Sequence, residues 1–381
     1  MTTKLYTSDM LGAPVLNGAI GSLINLLDAV LVNGFGLVTS SGVSVTGSVA
    51  TMTFGVAHPF SVGTVALIAG ATPAGLNGEQ RVLTSTPTTI TWTTAAAAGA
   101  ATGTITAAVA GAGWTKPYSG TNLAAYKITD VTGTGCYLKV DDTVTLTSRV
   151  TGYESMTAIA AGTGLFPTVA QWAAPGLFWS KSNTTATATP WQIVADSRGF
   201  YYFPKNSIAA AEHQANYFGD INSLKSNDPY ACVLRGNTAS RAGSAAAYTD
   251  DLAYSDASQT ADGLYMPRAA TAVGTAQKNF NVNTMNIGVA LVHYSGTVGF
   301  AYPSSVDNAL MLGQVAVYSA VGVRGFMPGM YLSPQLCTTS FATGDKVEGT
   351  GALAGKSVRV IKIGALTGNA VVFVDTISNW R

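Results

Sequence analysis

Residues 136–153 read CYLKVDDTVTLTSRVTGY. Leu138 and Val140 alternate with polar neighbours, Asp141-Asp142-Thr143 turn the chain, and Val144, Leu146 and Val150 recur mostly at even spacing. A period of two on both sides of an Asp-rich turn predicts two antiparallel strands with one face buried. The same pattern returns at Trp191 to Phe203 around Asp196-Ser197-Arg198-Gly199, and at Val358 to Val374 around Gly364 to Asn369. The chain therefore reads as mainly β, with a sandwich- or barrel-like main domain.

Composition narrows the function classes. Apolar residues make up 47% of the 381, enough for a sizeable core, but charged residues only 10%, against about 25% in ordinary soluble domains. A surface so thinly charged is poorly protected against association, which points to a chain partly covered by other subunits. The net charge of +1 gives no whole-chain basic footprint, so nucleic-acid binding has no electrostatic support. Cys136, Cys232 and Cys337 lie too far apart for a zinc knuckle or a disulfide framework and read as three separate buried thiols. Asn17, Asn25, Asp28 and Asn33 interrupt the most apolar window, Pro14 to Val38, so no membrane span is expected. Lys4 alone is a weak start for a signal peptide.

One helix is expected, over about residues 18–33. Ile20, Leu23, Ile24, Leu27, Val30 and Leu31 form a stripe at three- and four-residue steps. Asn17 is placed to cap it and Gly34 to end it. Residues 43–108 then change character. Short strand signals at Ala50 to Phe54, Val65 to Ala69, Arg81 to Thr84, Thr89 to Thr93 and Thr102 to Ala107 suggest a small barrel. Thr39-Ser40-Ser41-Gly42 and Ala108 to Gly113 are linker-like. The expected domains are 1–42 plus 109–381 as the main β-rich unit, with 43–108 inserted.

The run HPFSVGTVALIAGATPAGLNGEQRVLTSTPTTITWTT (58–94) resembles a small β-barrel module of tailed-bacteriophage structural proteins. Pro59, Thr64 and Leu76 depart from that module's usual Gly, Asp and aromatic residue, at positions that leave turns and strands intact. The flanking stretches DMLGAPVLNGAIGSLINLLDAVLVNGFG, GWTKPYSGTNLAAYKITDVTGTGCYLKVDD, VTGYESMT and PWQIVADSRGFYYF resemble a phage or prophage virion protein carrying such an insert. The resemblance implies a virion structural protein, assembled in the host cytoplasm, whose partners are copies of itself and neighbouring virion proteins. Tail or baseplate is the first placement, with capsid decoration or neck as the alternative.

No catalytic constellation stands out, and no enzyme, cofactor or metal site is expected. Gly351 to Ser357 resembles a phosphate-binding loop but is one residue short and precedes a strand signal. His58, His213 and His293 are far apart and read as structural. Asp141-Asp142 and Asp250-Asp251 are adjacent pairs that would point to opposite strand faces or bond turn N–H groups. Asp250, Asp251, Asp256 and Asp262 lack calcium-loop spacing. The Asn183-Thr184-Thr185 sequon reads as a chance match. Trp191, Phe200, Tyr201, Tyr202 and Phe203 concentrate aromatic area. Core or subunit contact is their default role, and an interaction surface for a host receptor or glycan the sharper one. Residues 236–285, rich in Ala, Ser, Asp and Gly, are expected to form a long excursion with little regular structure.

Overall fold

A computed structural model describes residues 2–171, 176–205, 208, 210, 212–237, 262–283, 300–319, 321–365 and 368–381. The fold is mainly β, with curled half-barrel sheets and one helix near the N-terminus. The three hairpins signalled by period-two patterning all form. Tyr137–Asp141 pairs antiparallel with Thr147–Tyr153, Trp191–Ala195 with Gly199–Pro204, and Ser357–Ala365 with Gly368–Asp375.

The first two hairpins belong to a 12-stranded sheet whose edges are Lys4–Thr7 and Thr115–Gly120. The third anchors a 7-stranded sheet. Strand Gly199–Pro204 is a wall between two cores. Phe200 and Tyr202 join the cluster built around the helix, Trp179 and Leu138, whereas Tyr201 and Phe203 join a second cluster with Val317, Ile361 and Val372. An uninterrupted apolar run is what burial on both faces requires.

Residues 35–109 supply every strand of an 8-stranded sheet. Its interior, including Met52, Phe54, Ile68, Ile90 and Trp92, is continuous with the first core cluster. The expected linker Thr39-Ser40-Ser41-Gly42 is instead the middle of one 12-residue strand, Phe35–Thr46. That strand pairs with Thr106–Val109 up to Thr39 and with Val49–Phe54 from Ser40 onward, with a bulge between Ser40 and Gly42, and its far end also pairs with Gly99–Ala100. The Ser40 hydroxyl carries the switch, donating to Thr53 O at 3.1 Å and accepting from Gly42 N at 2.9 Å. Small polar residues here serve a strand crossing between partners rather than a loose connection.

The helix also differs from its expected form. Ser22–Leu27 is α-helical and Asp28–Asn33 widens to a π-helical turn. Asn17 does not cap it. The Asp142 carboxylate does, accepting from Leu23 N at 2.9 Å and Ile24 N at 3.3 Å. At the other end Gly34 has φ 74°, and a Cβ there would stand 2.3 Å from Val109 O, so glycine is required both by backbone conformation and by space.

The described part of 236–285 is more regular than expected. Asp262–Met266 pairs with the strand Cys232–Asn237, and Phe280–Asn283 pairs with Gly313–Ser319. Ser155–Ala158 and Ala161–Thr163 form a hairpin without a period-two signal, anchored by Met156 against Tyr137. Residues 238–261, with Asp250, Asp251 and Asp256, and the expected strand at 287–293, with His293, lie outside the described residues.

Candidate interaction surfaces

Trp191, Phe200, Tyr201, Tyr202 and Phe203 are each 0–1% exposed, so the interaction surface expected there is corrected to core. Their polar atoms are used internally. Trp191 Nε1 donates to Pro14 O at 3.1 Å, the Tyr201 hydroxyl to Pro328 O at 2.8 Å and the Tyr202 hydroxyl to Ser180 O at 2.9 Å. Phe200 packs edge-on against Trp114 and Trp179, with centroids 5.5 and 5.7 Å apart. The signal for burial was in the sequence: aromatic residues on both parities of one strand leave no face for water.

Two solvent-facing clefts stand out among the described residues. The first, about 690 Å³, lies where the N-terminal segment meets the 35–109 sheet and is lined by Leu11, Leu37, Val38, Val56 and Pro59. Leu37 is 72% exposed, Val56 62% and Leu11 52%. Three large apolar side chains around one open groove form a patch rather than scattered singles. Leu37 lies on strand Phe35–Thr46, and Val56 lies in the bend just past strand Val49–Phe54.

The second cleft, about 430 Å³, is polar and lies between the turn at Thr132–Thr134, Arg198, the stretch 221–231 and Arg381. Arginines hold the carboxylates around it. Arg198 Nε donates to Asp220 at 2.8 Å, Arg324 Nε to Asp228 at 2.9 Å, and Arg381 Nη1 to Asp196. Thr134 Oγ1 also donates to Asp220 at 2.6 Å. This leaves the cleft rich in hydrogen-bonding groups but with its carboxylates tied down, a lining suited to a polar, uncharged ligand. The turn-rich run Asn222 to Asp228 was its sequence signal.

The remaining candidates resolve into structure. Gly351–Leu353 is a single 3-10 turn followed by strand Ser357–Ala365, so no helix N-terminus faces the loop. His58 pins a turn, with Nε2 2.8 Å from Thr86 O. His213 is buried and bridged to Ile363, and burial together with the Lys205 and Arg359 charges pulls its imidazole down to about 3. Asp141 accepts from Thr143 N at 3.1 Å, as an Asp in a turn does. Among the described residues, no group of three His, Cys, Asp or Glu side chains could hold a metal. All three cysteines are buried and free.

No family model matches the chain, and no curated protein sequence is similar to it.

Proposed function

We propose that this chain is a structural subunit of a tailed-bacteriophage virion, tail- or baseplate-associated, that works by contact with copies of itself or neighbouring virion proteins. The observation that carries the reading is the open apolar groove around Leu11, Leu37 and Val56, on a chain in which only 10% of residues are charged. Burying that groove against a neighbour gains roughly 25 cal/mol for each Å² of apolar surface, with little help needed from ion pairs. The phage-like stretches on both sides of residues 58–94 support a virion as the setting of that contact. Capsid decoration or a neck position is the alternative within the same particle.

The polar cleft beside Arg198 and Asn222 favours a second reading, binding of a host-surface glycan, which the buried aromatic run no longer offers. Immunogold electron microscopy of purified particles, with antibody to the recombinant protein, tests the first reading. Label on the tail or its tip is expected. Label over the head moves the protein to decoration, and no label on intact or disrupted particles ends the virion reading. Binding to host polysaccharide that survives Leu37→Asp but is lost on Asn222→Ala would favour the second.

A further inference from the structure

The hairpin of Tyr137–Asp141 and Thr147–Tyr153 turns Leu138, Val140 and Val150 into the first core. Alternation sends Lys139, Asp141, Arg149, Thr151 and Tyr153 to the opposite face, where, bounded by the segment 165–169, they line a slot of about 80 Å³. Asp141 lies directly across from Arg149, and Lys139 across from Thr151. The two cations are therefore diagonal neighbours, about 7–8 Å apart at the backbone and within reach of one ligand. Among the described residues neither forms an ion pair, and Lys139 Nζ has no hydrogen-bond partner. Arg149 is held by other means: its guanidinium lies 3.5 Å from the centre of the Phe178 ring, and Nη1 donates to Gly176 O at 3.3 Å. Nε and Nη2 stay uncommitted. The nearby carboxylates do not neutralise this pair. Glu154 is clamped by Arg268, Nε to Oε1 at 2.6 Å and Nη2 to Oε2 at 2.8 Å. Asp141 gives Oδ1 to Thr143, whose N and Oγ1 donate at 3.1 and 2.6 Å, and keeps Oδ2 as an acceptor. The hydroxyls of Thr151 and Tyr153 also lack internal partners.

We propose that this slot binds a sugar acid of the hexuronate class, with its carboxylate between Lys139 and Arg149 and a ring hydroxyl donating to Asp141 Oδ2. Charge sets the class of anion. Two positive side chains and one negative one line the slot, and a single carboxylate balances them, whereas a doubly charged phosphate would leave an excess facing Asp141. The planar fork of Arg149 matches a carboxylate side-on. A carboxylate alone would leave the Asp141 acceptor unmet, so the ligand must bring hydroxyl donors as well. The slot admits the carboxylate and leaves the sugar ring on its rim, beside Tyr153. This site uses none of the residues that line the apolar groove or the polar cleft, so it stands or falls apart from both.

The test is titration of the purified full chain with methyl glucuronide, methyl glucoside, propionate and glycerol phosphate, read by ligand-observed NMR. Saturable binding of the glucuronide is expected, about tenfold or more tighter than that of the other three. Lys139→Gln should weaken it by about tenfold or more and leave the urea midpoint unchanged, because the side chain has no partner to lose. Arg149→Lys keeps the charge but not the fork, and should weaken binding as well. Asp141→Asn keeps the turn acceptor and removes the free one, which should bring the glucuronide down towards propionate. Lys127, 5.2 Å from the centre of the Tyr137 ring on the same face, lies outside the slot, and Lys127→Gln should leave binding as it is. No saturable glucuronide binding, equal binding of the glucoside, or an equal loss on Lys127→Gln and Lys139→Gln overturns the proposal. Tighter binding of propionate or glycerol phosphate overturns the assignment to a sugar acid.

Discussion

Lys181 Nζ lies 2.5 Å from Asp142 Oδ1, and both side chains are completely buried. Lys181 also donates to Ala19 O at 2.8 Å and Val144 O at 3.0 Å, while Ser148 Oγ donates to Asp142 at 2.7 Å. The pair thus joins the turn of the first hairpin, the start of the helix and the segment after strand Leu177–Ser180. Every polar atom in it is occupied, which is the condition under which a buried ion pair is tolerated.

Removing one partner leaves the other charge in the core. Lys181→Met and Asp142→Leu are each expected to cost about 3–5 kcal/mol, read as a lower urea midpoint. The Asp142 variant should also lose helix content, since Leu23 and Ile24 lose their acceptor. The double variant is expected to cost clearly less than the sum of the singles. Additive costs would show that the pair carries no coupling.

His213 makes stability pH-dependent in one direction. It is held neutral by burial first, then by the Lys205 and Arg359 charges, with its value lowered from 6.5 to about 3. The unfolded chain binds this proton more readily, so the contribution is fully present above pH 6.5 and fades as pH falls towards 3. The slope from this residue is about 1.4 kcal/mol per pH unit. Urea melts at stepped pH should show wild type losing that much more per unit than His213→Leu over the same window. Parallel slopes would remove His213 from the account.

Phe200 tests the buried reading of the aromatic run. Its truncation to Ala opens a hole between Trp114, Trp179 and the helix-side core, at a cost of about 3–5 kcal/mol. The measurement is equilibrium unfolding followed by Trp fluorescence. A change below about 0.5 kcal/mol, the range of ordinary surface substitutions, would mean that the ring is not packed as described.

The apolar groove predicts the opposite profile. Leu37→Asp with Val56→Asp is expected to change stability by no more than about 0.5 kcal/mol per site. The same change should abolish incorporation into particles, or concentration-dependent association of the purified chain in sedimentation. Unchanged assembly would exclude the groove as a contact surface.

The first hairpin was legible because a strand with one wetter face prints its period directly, as in Leu138 and Val140. Gly34 was legible because a helix stop with positive φ accepts little else. The cap was not. Asn17 is a good local candidate but takes Ala19 N, before the helix begins, whereas Asp142 reaches the N–H groups of the first turn from more than a hundred residues along the chain, and no local rule can weigh such a contact. Thr39 to Gly42 misled for a related reason: Ser and Gly suit both a linker and a bulged strand, and only the presence of two partners decides. Trp191 and Phe200 to Phe203 could have been placed inside by their double parity.

The continuous strand Phe35–Thr46, with its two successive partners, has a mechanical consequence. Chain enters the 35–109 unit at Phe35 and leaves it at Val109, and these two residues face each other in one ladder. The exit is fastened further by Ala112 N to Val30 O at 2.8 Å and Trp114 N to Leu31 O at 3.0 Å. A load that parts the entering chain from the leaving chain therefore opens the ladder from its base, one rung at a time, like a zipper. A load along Phe35–Thr46 must instead shear two sets of rungs at once. The attachment is stiff to sliding and compliant to peeling, a direction-dependent joint made from a single strand.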